Sequence, residues 1–111
     1  MIGIVIIAHG ALGETLVQCA THVLGGKPER VVTLAVAARK DPEALLAEAR
    51  QLVRDVDDGS GVLVMTDMLG GTPSNVATRT LVAGHVSGVA GASLPMLVRA
   101  PTYRERQPAI R

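Results

Sequence analysis

At 111 residues and a formal net charge of +1, the chain has the length for one domain with a real core and offers no electrostatic case for a nucleic-acid partner. Its 48% apolar content is almost wholly Val, Leu, Ile and Ala, and Tyr103 is the single aromatic residue, which excludes an aromatic base-stacking surface. The lone Cys19 excludes an intramolecular disulfide, and no apolar stretch approaches the roughly 20 residues of a membrane span.

The run Ile4-Val5-Ile6-Ile7-Ala8 is uninterrupted apolar sequence broken by His9-Gly10. Such a run predicts a central strand of a parallel sheet, covered on both faces. With Met1-Ile2 leading straight into it and no basic leader, the expected location is the cytoplasm. Leu12, Leu16, Cys19, Ala20, Val23 and Leu24 then recur at helical spacing, predicting a helix over 14–24 with Cys19 as a small buried hydrophobe, stopped by Gly25-Gly26-Lys27-Pro28. Residues 31–37 are rich in β-branched side chains and predict the second strand. Asp41-Pro42 is a cap followed by a first-turn proline, and Leu45, Ala49, Leu52, Val53 and Val56 form one stripe behind it. Asp57-Asp58-Gly59-Ser60-Gly61 turns the chain into a third strand, 62–66; it lacks the spaced ligands of a calcium loop.

Thr72-Pro73 repeats the cap-and-proline signal and predicts a third helix with Val76, Ala77, Thr80 and Leu81 inward, closed by Gly84. A weaker strand is expected over 86–91, interrupted by Gly88, followed by a short helical turn from Ser93-Leu94-Pro95. Pro101 and Pro108 oppose a long closing helix. The βαβαβαβ alternation predicts an α/β fold: an open, mainly parallel four-stranded sheet with helices on both faces, in three layers. In the strand order 2-1-3-4 the switch point falls between strands 1 and 3, and loops after such strands carry ligands and chemistry. His9 would then face the loop Thr66-Asp67-Met68-Leu69-Gly70-Gly71-Thr72 across one crevice.

A carboxylate that accepts from one ring N–H of a neutral histidine fixes the tautomer and leaves the other nitrogen as a nucleophile. Asp67 suits that role for His9 and would stabilise the imidazolium formed on attack. Gly10, Gly70 and Gly71 allow backbone N–H groups to approach an anion, Thr72 adds a hydroxyl, and the helix from Pro73 points its positive end at the crevice. Nucleophile, orienting carboxylate and anion cradle suit phosphoryl transfer onto His9. Each residue also has a plainer reading: His9 as a backbone-satisfied strand-end histidine, Asp67 as a turn cap, Thr72 as a helix cap, Gly70 and Gly71 as turn glycines. His22 and His85 read as surface histidines. No G-x-G-x-x-G follows strand 1 and no Walker lysine is present, so no cofactor is implied, and no metal-ligand spacing is seen.

His9-Gly10, the segment Thr66 to Asn75, and Ser93-Leu94-Pro95-Met96-Leu97 together resemble the mannose-type (mannose/fructose/sorbose) IIA component of the bacterial sugar phosphotransferase system, over residues 1–100. The resemblance implies a phosphotransferase without cofactor, in which His9 accepts a phosphoryl group from the phosphocarrier HPr and passes it to a IIB component, with Asp67 as its partner. It also implies a homodimer and only an indirect link to the membrane, through the IIC/IID transporter. Ala8 stands where the family commonly has a hydroxyl residue, and Ser93 where it usually has asparagine. Residues 101–111 would be a short tail in place of the family's last helix and strand. Two other readings keep the histidine: a stand-alone regulatory phosphoprotein, and the phosphoryl-donor domain of dihydroxyacetone kinases, whose loop after strand 3 differs. A response-regulator receiver is opposed by Ala8-His9-Gly10 where acidic magnesium ligands would stand.

Overall fold

The computed structural model describes residues 1–37, 41–67 and 71–91. The described elements run β1 (Gly3–His9), α1 (Leu12–Leu24), β2 (Val31–Val36), α2 (Pro42–Val56), β3 (Val62–Thr66), α3 (Thr72–Thr78) and β4 (Val86–Val89). The strands pair in parallel in the order β2-β1-β3-β4, as the alternation predicts. Residues 93–95 and the tail 101–111 lie outside the described residues.

The apolar run of β1 has its cause in two separate cores. Ile2, Ile4, Ile6 and Ala8 face α1 together with Val31, Leu63 and Met65. Val5 and Ile7 face the opposite layer, where α2 and α3 contribute Leu45, Ala49, Val53, Val56, Val76 and Ala77. A strand covered on both sides has no position for a polar side chain, and Ile4, Val5, Ile6 and Ile7 are all fully buried. Each such side chain contributes about 1.5–3 kcal/mol of burial free energy.

Helix α1 differs from its predicted form at both its start and its buried face. It begins at Leu12, and the residues turned to the sheet are Gly13, Val17 and Ala20. A Cβ at Gly13 would lie 3.3 Å from Ile6 Cγ2, so the helix lies close upon β1 where its residues are smallest. That choice rotates the larger side chains outward: Leu12 and Val23 are exposed, and Cys19 is exposed, not buried as its spacing suggested.

Helix α2 follows its signals. Asp41 is extended and its side chain accepts from the Glu43 N–H at 3.2 Å, with Pro42 in the first turn. Its far end is pinned by Arg30, whose Nε donates to the Val56 carbonyl at 3.0 Å and whose Nη2 reaches the same oxygen. Arg30 occupies the left-handed region at φ 57°, the single non-glycine residue among those described to do so. Gly3 lies beneath this contact, where a Cβ would sit 2.5 Å from the Val56 oxygen.

Helix α3 is shorter than predicted. It ends at Thr78, and the chain leaves it through tightened i→i+3 bonds from Thr80 to Ala77 and from Leu81 to Thr78. Val82 then pairs with Val86, so the chain cannot remain helical as far as Gly84, and Leu81 is 43% exposed, not inward. The strand after the turn is Val86–Val89, two residues shorter than predicted. At this N-terminal edge of the sheet His85 Nε2 lies 2.5 Å from Asp57 Oδ2, while Asp57 Oδ1 accepts from the Gly59 N–H at 2.8 Å. His85, read from sequence as a surface histidine, thus ties the entries of β3 and β4 together.

Two stability outcomes follow from these contacts. Arg30→Ala should cost about 1–3 kcal/mol for the lost charge-assisted bonds, and Arg30→Gly should cost less than Arg30→Ala, because glycine takes φ 57° freely; urea titration of both gives the order. The His85 imidazole, followed by the Gly59 N–H, holds the Asp57 carboxyl below its reference value of 3.8. A depressed carboxyl adds stability above the unfolded-state value and loses it as pH falls through the folded one. Asp57→Asn should therefore lower the urea midpoint at neutral pH, with the gap to the parent closing progressively below pH 3.8.

Candidate active site

His9 is the last residue of β1, and Asp67 directly follows β3. The two strands are parallel neighbours in the register Ile7↔Thr66, which brings their C-terminal ends side by side. Asp67 Oδ2 accepts the backbone N–H of His9 at 3.0 Å and lies 2.7 Å from His9 Nδ1. An ionised carboxylate only accepts, so Nδ1 carries the proton and the Nε2 lone pair is the bare one. The carboxylate is largely sheltered, with 9% of its side chain exposed, and the imidazole is 45% exposed. One oxygen thus fixes the tautomer and, through the backbone bond, the place of the residue that carries the ring.

The four remaining predicted residues fall into different situations. Gly10 takes φ 53°, a left-handed turn that a side chain would strain, with open space where a Cβ would be. Its N–H donates to the Val36 carbonyl at 3.1 Å, which holds the turn after His9. Gly71 has ordinary backbone angles, and its value is space: a Cβ there would lie 3.3 Å from His9 Cε1 and 3.7 Å from Nε2. Gly71 therefore walls the side of the ring that holds the bare nitrogen.

Thr72 was expected to cap α3. The cap is Gly71, whose carbonyl accepts from the Asn75 N–H at 3.0 Å, and Thr72 is an exposed first-turn residue with no capping bond from any side chain at this end. Gly70 lies outside the described residues.

Two features of the site left no mark in the sequence reading. Helix α1 starts only three residues after His9, with Ala11 at its cap and no side-chain capping bond, so its first-turn N–H groups and positive end belong to this edge of the sheet. The usual signal, a Ser, Thr, Asp or Asn at the cap, is missing there. The second is Val36, which holds Gly10 through a backbone carbonyl, a role with no side-chain signature. His22 is exposed on α1, and His85 stands at the opposite end of the sheet, so neither joins His9.

The chain is similar to known proteins along most of its length. The family model described as PTS system fructose IIA component matches residues 3–110. The PTS system mannose-specific EIIAB component of Escherichia coli K12 is 33% identical over 109 residues, which are 97% of this chain and 33% of that protein. The chain therefore spans about a third of the length of that relative. The PTS system fructose-specific EIIA component of Bacillus subtilis is 24% identical over 106 residues, covering 95% of this chain and 72% of its own length. Among solved structures, phosphotransferase system component EIIA from Streptococcus agalactiae superposes with a TM-score of 0.82 at 29% identity, over 95% of this chain and 80% of that one. The PTS IIA protein associated with the fucose utilization operon of Streptococcus pneumoniae gives 0.81 at 29%, over 90% and 76%. A family match over nearly the whole chain, and solved structures similar to it along most of its length, make this chain a member of the PTS fructose IIA component family, a component of the sugar phosphotransferase system.

Proposed function

We propose that this chain is a phosphocarrier in which His9 Nε2 accepts a phosphoryl group from phospho-HPr and passes it to a IIB component. The observation that carries the reading is the double acceptance by Asp67 Oδ2 from His9 N–H and Nδ1, which turns the bare Nε2 to the exposed side beside Gly71. On transfer, the P–N bond of the donor breaks and its electron pair returns to the donor nitrogen, while the Nε2 lone pair forms the new P–N bond. No proton need move, because Nδ1–H is already in place, and the imidazolium character acquired by the ring is stabilised by the adjacent carboxylate. The phosphoryl oxygens would lie between Gly71-Thr72 and the positive end of α1. The reverse sequence at the same nitrogen serves donation, since a phosphorylated imidazole is a reactive phosphoryl donor.

A homodimer, with the membrane reached only through a separate transporter, completes the reading. Among the described residues no helix is long and apolar enough to cross a membrane. Residues 1–100 would form the IIA unit. One finding favours a second reading, a phosphoprotein that regulates instead of feeding a transporter: the transcriptional regulatory protein LevR of Bacillus subtilis is 32% identical over 68 residues, 60% of this chain. Both readings use the same histidine and differ in the acceptor.

The test is intact-mass analysis and peptide mapping after incubation with phosphoenolpyruvate, enzyme I and HPr, at neutral and acidic pH. One acid-labile phosphoryl group on His9 is expected. His9→Ala should abolish it with an unchanged far-UV circular dichroism spectrum, and label retained on that variant would overturn the assignment. Asp67→Ala should slow phosphorylation by about 10²–10⁴-fold, the scale of general acid–base and tautomer effects. Gly71→Ala should slow it with the fold intact, since the added methyl would stand 3.3 Å from the ring edge. Equal rates for parent and Gly71→Ala would remove Gly71 from the phosphoryl pocket.

A further inference from the structure

The end of β3 carries a second polar group beside Asp67 that the phosphoryl chemistry does not use. Thr66 is 3% exposed, and its hydroxyl is buried without a hydrogen-bond partner among the described residues. It lines a half-open pocket of about 130 Å³ between α3 and the β3–β4 edge, together with Ser74 and Thr78 of α3 and the apolar Val64 and Leu81. Ser74 is 6% exposed and so belongs to the inner side of α3, although it stands in the same Thr72-Pro73-Ser74-Asn75 segment that borders the site. Thr78 Oγ1 donates to the Ser74 carbonyl at 2.9 Å. Three hydroxyl-bearing residues thus line one small space, Thr66 and Ser74 buried and Thr78 at its exposed side.

A buried hydroxyl without a partner is unfavourable, and a polar cavity recruits water wherever two or more groups can hold it. Water occupies about 30 Å³ per molecule in the liquid, so the cavity has room for several. We propose that it holds ordered water bridging Thr66 to Ser74 and Thr78, and that Thr66 is thereby a positioning residue for Asp67. The bridge fixes the last residue of β3 against the helix that follows the site's glycine loop, and the next residue along is the carboxylate that orients His9. The inference deepens the proposed reading of that site and rests on it only for its purpose. Its test therefore reads the His9 tautomer and not transfer, so a chain that never accepts phosphate still answers.

The experiment is NMR on the isotope-labelled chain: water-selective nuclear Overhauser transfer to the Thr66 methyl and amide, and long-range nitrogen–proton spectra of the His9 ring. The parent and Thr66→Ser should show transfer from long-lived water and the two-shift pattern of an Nδ1–H imidazole. Thr66→Val, nearly equal in shape, should lose the transfer and move the His9 nitrogens toward an averaged pattern. Absence of long-lived water in the parent overturns the proposal, as does a Thr66→Val variant with an unchanged His9 pattern, whether or not it melts higher. Should Thr66→Val fail to fold, Ser74→Ala replaces it: the proposal stands on weakened water transfer at Thr66 with a shifted His9 pattern, and falls if either is unaltered.

Discussion

Everything at the candidate site depends on one carboxylate oxygen. Asp67 Oδ2 receives both the main-chain N–H of His9 and its ring Nδ1, so the residue's position and its protonation pattern have a common origin. Such double acceptance is possible only because β1 and β3 are adjacent and parallel, ending at the same level of the sheet. In an order that separated these strands the same two residues would be strangers. The sheet topology is therefore part of the chemistry, and the two apolar cores that lock β1 in place act on the imidazole as well.

The glycines around the ring divide the work between conformation and space. Gly10 lets the chain turn away at once after the histidine, and Val36 holds that turn through a backbone bond. Gly71 leaves room at the ring edge where a new bond to nitrogen would form. Unlike α2, which Asp41 caps, α1 and α3 start at this edge without a side-chain cap, which keeps their first amides uncommitted to the usual local acceptors. An uncapped end costs a helix stability that a neighbouring anion can restore.

Much of this was legible in the sequence, for identifiable reasons. The aliphatic run of β1 and the Asp41-Pro42 signal have strong local causes, and strand order followed from alternation and handedness. The pairing of His9 with Asp67 followed from that order. The failures also have causes. The expected stripe of α1, 12/16/19/20/23/24, holds at Ala20 and partly at Leu16 but not at Leu12, Cys19, Val23 and Leu24, because helical spacing alone also admits the neighbouring face 13/17/20, and the close approach permitted by Gly13 selects it. The end of α3 was overrun because the Val82–Val86 pairing is made by backbone and leaves no compositional trace. Thr72 was credited with a cap that the preceding glycine's carbonyl provides. Likewise the partner of His85 lies 28 residues away, beyond any local pattern.

The two histidine–aspartate pairs stand at opposite poles of the sheet, and the fold treats them differently. In a parallel α/β layer every helix enters at one edge and leaves at the other, so amides gather where His9 is and carbonyls where His85 is; Asp57 itself terminates α2. His85 also has its Nε2 engaged by Asp57, the reverse of the arrangement at His9. An incoming dianion thus meets an attractive field at one histidine and a repulsive one at the other, although their side-chain partners are chemically the same. On the proposed reading, polarity of the architecture, more than identity of the residue, would sort which imidazole is open to modification.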